Sequence, residues 1–89
     1  MRTLSISRDA YKFLEDLQAK QFRQVAMKAL SLLNDPTPSD SAQIKGRQDY
    51  YRVDLGEYRI VYEFDETTVY LVLIGKRNDD EVYKALSRK

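Results

Sequence analysis

Cysteine and histidine are both absent from this 89-residue chain. Without cysteine there is no disulfide framework and no thiolate metal site. Without histidine the usual general base and the usual transition-metal ligand are gone. Acid–base chemistry has to come from Asp, Glu, Tyr, Lys or Arg, and no metal or other cofactor is expected. No apolar run reaches the roughly 18–20 residues of a membrane span, and no secretory pattern opens the chain, so the expected setting is cytoplasmic, away from membranes. There is no internal repeat and no low-complexity tract. Nor does one charge dominate: 15 basic and 14 acidic residues leave a formal net charge of +1, far less basic than a dedicated nucleic-acid binder.

What is present suits one domain over residues 1–89. Hydrophobic residues make up 43% of the chain, enough for a single two-layer core, although a chain this short buries only about 60–65% of its unfolded surface. Arg2 to Ser7 alternates and is rich in β-formers, as an edge strand does. Ser7 can cap a helix, with Asp9 in its first turn where the dipole favours negative charge. Ala10, Phe13, Leu14 and Leu17 form the stripe of one amphipathic helix, and Phe22, Val25, Ala26, Ala29, Leu30 and Leu33 that of a second. Gln18 to Gln21 is too short for a linker, so the two make a helical hairpin or a kinked pair. Asn34-Asp35-Pro36 ends the second helix, residues 36–42 read as a surface loop, and Ile44 to Asp49 leads into the sheet.

From Tyr50 onward the pattern changes to a period of two. Gly56-Glu57 between β-rich runs signals a two-residue hairpin. That turn sets Leu55 opposite Tyr58, Asp54 opposite Arg59 and Arg52 opposite Val61. One face then carries Tyr51, Val53, Leu55, Tyr58, Ile60, Tyr62 and Phe64 and should pack on the helices, with Tyr58, Tyr62 and Tyr70 taken as core or interface. Arg52 and Arg59 lie on the more open face. After a polar turn at residues 65–68, Val69 to Ile74 has no charge and reads as a central strand buried on both faces. It ends in Gly75-Lys76-Arg77, which puts two cations near the open face, and a helical segment over Asp79–Leu86 brings Tyr83 back towards them. The element order β-α-α-β-β-β-α predicts an α+β fold: an N-terminal strand, a helical hairpin, a three-stranded antiparallel meander and a short C-terminal helix, with four strands in the sheet.

Cations and a phenol converging on one face suggest a phosphodiester site, because the arginine fork donates in a plane to phosphate oxygens. Cleavage also needs a base, a cation at the phosphorane and a proton source. With no histidine, Tyr83 is the available base, and Arg59, Lys76 and Arg77 the field that favours its phenolate. Each residue also has a plain explanation. Arg59 opposite Asp54 is what a surface cross-strand ion pair looks like. Arg52 reads equally as a solvated strand residue, Lys76-Arg77 as a solubilising turn, and Tyr83 as helix packing. The residues alone leave these alternatives open.

Tyr58-Arg59-Ile60-Val61-Tyr62, Gly75-Lys76-Arg77 and Glu81-Val82-Tyr83 resemble the conserved core of RelE toxins in the RelE/ParE superfamily. The likeness extends over essentially the whole chain, including Asn34-Asp35-Pro36 and Ile44-Lys45-Gly46. It implies the toxin of a toxin–antitoxin pair that enters the ribosomal A site and cuts mRNA without a metal. There the 2′-hydroxyl attacks the adjacent phosphate, leaving a 2′,3′-cyclic phosphate and a free 5′-hydroxyl. On that resemblance Arg59 stabilises the transition-state phosphate and Arg77 assists the leaving 5′-oxygen. Tyr83 is the base, or orients the attacking hydroxyl. Arg52 stands where the family has a lysine of its basic cluster. Lys45, Arg47 and Lys76 would contact RNA. Two positions after Arg52 the family's best-studied members carry a second lysine, and this chain has Asp54. An aspartate there either holds Arg59 in place or quenches it until substrate arrives.

The implied partners are a cognate antitoxin and the ribosome with mRNA in its A site. The free toxin is expected to be monomeric and to form a hetero-oligomer with the antitoxin. Two other readings share the fold. A ParE-like toxin that poisons DNA gyrase would not need Arg77 and Tyr83, and a plain interaction domain would be harmless when expressed alone.

Overall fold

The structure, a computed structural model, describes residues 1–77. Thr3–Ile6 forms β1. Ser7 then starts α1, Arg8–Glu15: its hydroxyl accepts the Ala10 N–H at 3.1 Å and donates to the Val72 carbonyl at 2.6 Å. One side chain thus caps the helix and ties its start to a distant strand. After a short break comes α2, Ala19–Ser31. The expected helical hairpin is present. Its buried line differs from the expected stripe in one respect: Val25, Ala29 and Leu32 are buried, while Phe22 and Leu30 are each 45% exposed. At about 100° per residue Phe22 and Leu30 lie on one flank of the Val25–Ala29–Leu32 line, and the sheet reaches only that line.

Four more strands follow: β2 Ser41–Ile44, β3 Arg47–Leu55, β4 Tyr58–Phe64 and β5 Thr68–Lys76. The sheet has five strands in the order β1-β5-β4-β3-β2, with β1 parallel to β5 and the other pairs antiparallel. The fold is α+β as expected, with one strand more than the four expected. The addition is β2, whose first two residues fall in the stretch read as loop. Only Ile44 of its four residues is buried, so it lacks the alternation that marks a strand.

The β3–β4 hairpin has the register that its turn dictates. Leu55 faces Tyr58, Asp54 faces Arg59 and Arg52 faces Val61. Gly56 sits at φ +58°, which an L side chain resists. The helix-facing side is the core: Val53, Tyr58, Ile60, Tyr62, Val69, Leu71 and Ile74 meet Ala10, Leu14, Val25, Ala29 and Leu32. Tyr62 is wholly buried, and its hydroxyl donates to the Pro36 carbonyl at 2.6 Å, fixing the loop after α2. Burial pushes its phenol up to about 12. Tyr58 is buried as well; Tyr70 is 36% exposed and donates to Asp65.

Two features of β5 differ from the expectation of a strand covered on both sides throughout. Tyr70 is open to solvent, and the strand carries a bulge. Tyr62 pairs with Leu71 and Val61 with Leu73, so Val72 has no partner across the ladder. The bulge resets the alternation. Leu71 and Ile74 both turn to the helices, while Leu73 turns the other way and joins Ile44 and Val61 in a second small apolar cluster edged by Tyr50 and Val72. The face opposite the helices is therefore partly apolar, not simply open. The helical segment expected over Asp79–Leu86 lies outside the described residues.

Candidate functional site

On the face away from the helices, strand alternation sets Tyr50, Arg52 and Asp54 in a row along β3, with Arg59 across from Asp54 on β4. Arg59 grips Asp54 with two donors, Nε to Oδ1 at 2.6 Å and Nη2 to Oδ2 at 3.0 Å. Arg52 adds a longer ion pair, Nη1 to Oδ2 at 3.6 Å. The Arg59 side chain is only 14% exposed, against 26% for Asp54 and 34% for Arg52. Screening there is weaker than on an open surface. The hydrogen bonds from Arg59 hold the Asp54 carboxyl below the usual carboxylate range. Desolvation opposes this, and the charges of Arg59, Arg52 and Arg77 reinforce it.

Gly75 is the β5 residue opposite Arg59 and contributes no side chain beside it. Arg77 follows two residues later. Its backbone N–H donates to the Glu57 carbonyl at 2.8 Å, and its exposed side chain lies near enough to act on Asp54 electrostatically. Arg52 and Arg59 thus meet at one carboxylate, and Arg77 acts on it from farther off by charge alone. Lys76 does not join them. It pairs with Tyr58, a core residue, so its register position is on the helix-bearing face. The cause is the run Gly75-Lys76-Arg77 itself, in which neighbouring residues alternate sides. Lys45 lies exposed in the turn before β3, where Gly46 has φ +84°. Arg47 lies over the Tyr50 ring, 4.7 Å from its centroid. Tyr50 had no role in the sequence reading; its spacing of two and four from Arg52 and Asp54 was the signal. Tyr83 lies outside the described residues.

Three guanidinium groups in this geometry are suited to an oxyanion with several acceptor oxygens, a phosphate above all. They cannot serve as a base, since arginine stays protonated. Among the described residues, no group of three or more carboxylates is placed to hold a metal ion.

Similarity to known proteins bears on the family and the fold. The family model described as ParE toxin of type II toxin–antitoxin system, parDE, matches residues 4–81. Among curated proteins there is no match. Among solved structures, the isolated RelE toxin of E. coli is similar at 28% identity and a TM-score of 0.73, covering 99% of this chain and 98% of that one. A mutant of E. coli RelE in the free state gives 26% identity and a TM-score of 0.79 over 98% and 96% of the two chains. The RelE–RelB complex of Pyrococcus horikoshii shares the fold at 23% identity, with a TM-score of 0.74 over 85% of this chain and 94% of that chain.

Proposed function

The chain belongs to the ParE toxin family of type II toxin–antitoxin systems, and within that family we propose that it is a RelE-like mRNA interferase that cuts mRNA in the ribosomal A site. The observation that carries the proposal is the Arg59 fork, held with Arg52 at Asp54 on the face opposite the helices, with the charge of Arg77 felt at the same carboxylate. A domain that only bound a partner would not need two partly buried arginines, Arg52 and Arg59, meeting at one point. Full-length likeness to E. coli RelE supports the same reading.

In this mechanism the substrate 2′-hydroxyl attacks its own 3′-phosphate. The in-line displacement forms the 2′,3′-cyclic phosphate and expels the 5′-oxygen, which leaves as a hydroxyl after taking up a proton from solvent water. Arg59 donates to the equatorial oxygens as charge builds on them, and Arg52 adds its charge from the neighbouring strand. Arg77, at the end of β5, stabilises the departing 5′-oxygen. Tyr83 takes the proton from the 2′-hydroxyl or orients it. Arg47 and Lys45 hold RNA outside the reacting group, and Lys76, on the opposite face by its pairing with Tyr58, takes no part. The partners are a cognate antitoxin, as in the RelE–RelB complex, and a ribosome carrying mRNA.

The ParE family match favours a second reading, a gyrase-poisoning toxin without nuclease activity. Primer extension on a defined mRNA in purified ribosome complexes separates the two. Cleavage within the A-site codon by the wild type, strongly reduced in Arg77→Ala and Tyr83→Ala, is the expected result. A folded, growth-arresting protein that leaves the message intact on ribosomes would overturn the proposal in favour of gyrase.

A further inference from the structure

We propose that Asp54 is an internal stand-in for the substrate phosphate, occupying the Arg59 fork at rest and passing to Arg52 when a phosphate arrives. The inference rests on the phosphate-binding role given to Arg59 above and concerns how that site is controlled. A carboxylate offers the fork two coplanar oxygens, as a phosphate does. Asp54 uses both: Nε and Nη2 of Arg59 are each committed to a different carboxylate oxygen, at 2.6 and 3.0 Å. A phosphate seeking this edge of Arg59 must displace Asp54.

The geometry also provides for the displaced carboxylate. Arg52 Nη1 stands 3.6 Å from Asp54 Oδ2, longer than a good hydrogen bond and short enough to tighten into one with a small side-chain rotation. Asp54 therefore keeps a cationic partner after Arg59 turns away. A half-buried carboxylate left with none would make the exchange costly. The pairing is not an accident of mobile side chains. Asp54 and Arg59 are direct cross-strand partners two pairs from a two-residue turn, so the backbone register holds them together. Asp54 is ionised at neutral pH as any aspartate with cationic neighbours is, and so stays a charged competitor.

A site that must first release its own carboxylate binds phosphate more weakly, by the fraction of molecules in which the fork is vacant. For a bidentate pair of this exposure the expected penalty is about five- to tenfold. Asp54→Asn keeps the shape and removes the charge. It should bind inorganic pyrophosphate, and a short oligoribonucleotide blocked from cleavage by a 2′-O-methyl group at the scissile position, about five- to tenfold more tightly than wild type. The gain should disappear when Arg59→Ala is added, as it must if the two residues act on each other. A folded Asp54→Asn protein with unchanged or weaker pyrophosphate binding would overturn the proposal and leave Asp54 as a brace that orients Arg59.

A measurement on the wild type removes any dependence on the variant folding. On saturation with pyrophosphate, the NMR signals of the Arg59 Nε–H and the Asp54 carboxyl carbon should move together. An unmoved Asp54 signal with pyrophosphate bound would also overturn the inference. Neither readout uses ribosomes. Tighter pyrophosphate binding by Asp54→Asn without ribosomal cleavage would sink the mRNA reading alone, and cleavage without the gain would sink this inference alone.

Discussion

Replacing Tyr62 with Phe removes a single oxygen from the centre of the molecule. That oxygen donates to the Pro36 carbonyl at 2.6 Å from a side chain with no solvent exposure. At neutral pH the variant loses a buried hydrogen bond and leaves a carbonyl without its partner, a cost of about 1.5 kcal/mol. In a domain of this size that lowers the melting temperature by about 6–12 °C. The informative behaviour is at alkaline pH. Burial raises the Tyr62 phenol from 10.0 to about 12, so the unfolded chain gives up that proton more readily than the folded one. The stabilisation is whole below pH 10 and is lost as the pH climbs through about 12. The wild type should therefore lose about 1.4 kcal/mol by about pH 11 through this group alone, while Tyr62→Phe has no such proton to lose. The deficit of the variant should shrink on alkalisation and nearly close by about pH 11. Other lysines and tyrosines are common to both proteins and cancel in the difference. Urea unfolding followed by far-ultraviolet circular dichroism, between pH 8 and 11, measures it. A deficit of the same size across that range would refute the assignment of a buried, neutral Tyr62.

Ser7→Ala should cost about 1–2 kcal/mol in urea unfolding, since one hydroxyl both caps α1 and holds the Val72 carbonyl. A loss within error would mean that the cap contributes nothing. Leu32→Ala, at a wholly buried position, should cost about 2–5 kcal/mol in thermal unfolding. Phe22→Ala, at 45% exposure, should cost clearly less than Leu32→Ala, and the reverse order would contradict the packing of α2 described above.

The hairpin was legible in the sequence because a two-residue turn leaves one register. Once Gly56-Glu57 is the turn, each pair from Leu55–Tyr58 to Arg52–Val61 follows. The helical hairpin was legible from its stripes and from the Ser7 cap. The bulge at Val72 was not, because Val69 to Ile74 is apolar at every position and a break in alternation leaves no trace in such a run. The cluster of Ile44, Val61 and Leu73 stayed hidden for the same reason. β2 escaped because an edge strand of four residues needs only one buried side chain. In the site, the Asp54–Arg59 pair could be read from register. That Lys76 and Arg77 part by face follows from alternation, but which of the two turns to the helices needed the bulge to be known, since it shifts every later residue of β5.

The parallel pairing of β1 with β5 sets the timetable of the molecule. Thr3 and Thr68 are partners 65 residues apart, and Ser7 holds the Val72 carbonyl over the same span. Closing so long a loop carries an entropic cost of roughly 4 kcal/mol, repaid only when both strands are in place. β1 is made before β5 and must wait for it. β4 also lacks its second neighbour until then. The register that sets Gly75 against Arg59, and brings Arg77 to the end of the hairpin, is completed by that same late strand. A nascent or truncated chain ending before residue 68 has the Asp54–Arg59 hairpin without the third arginine.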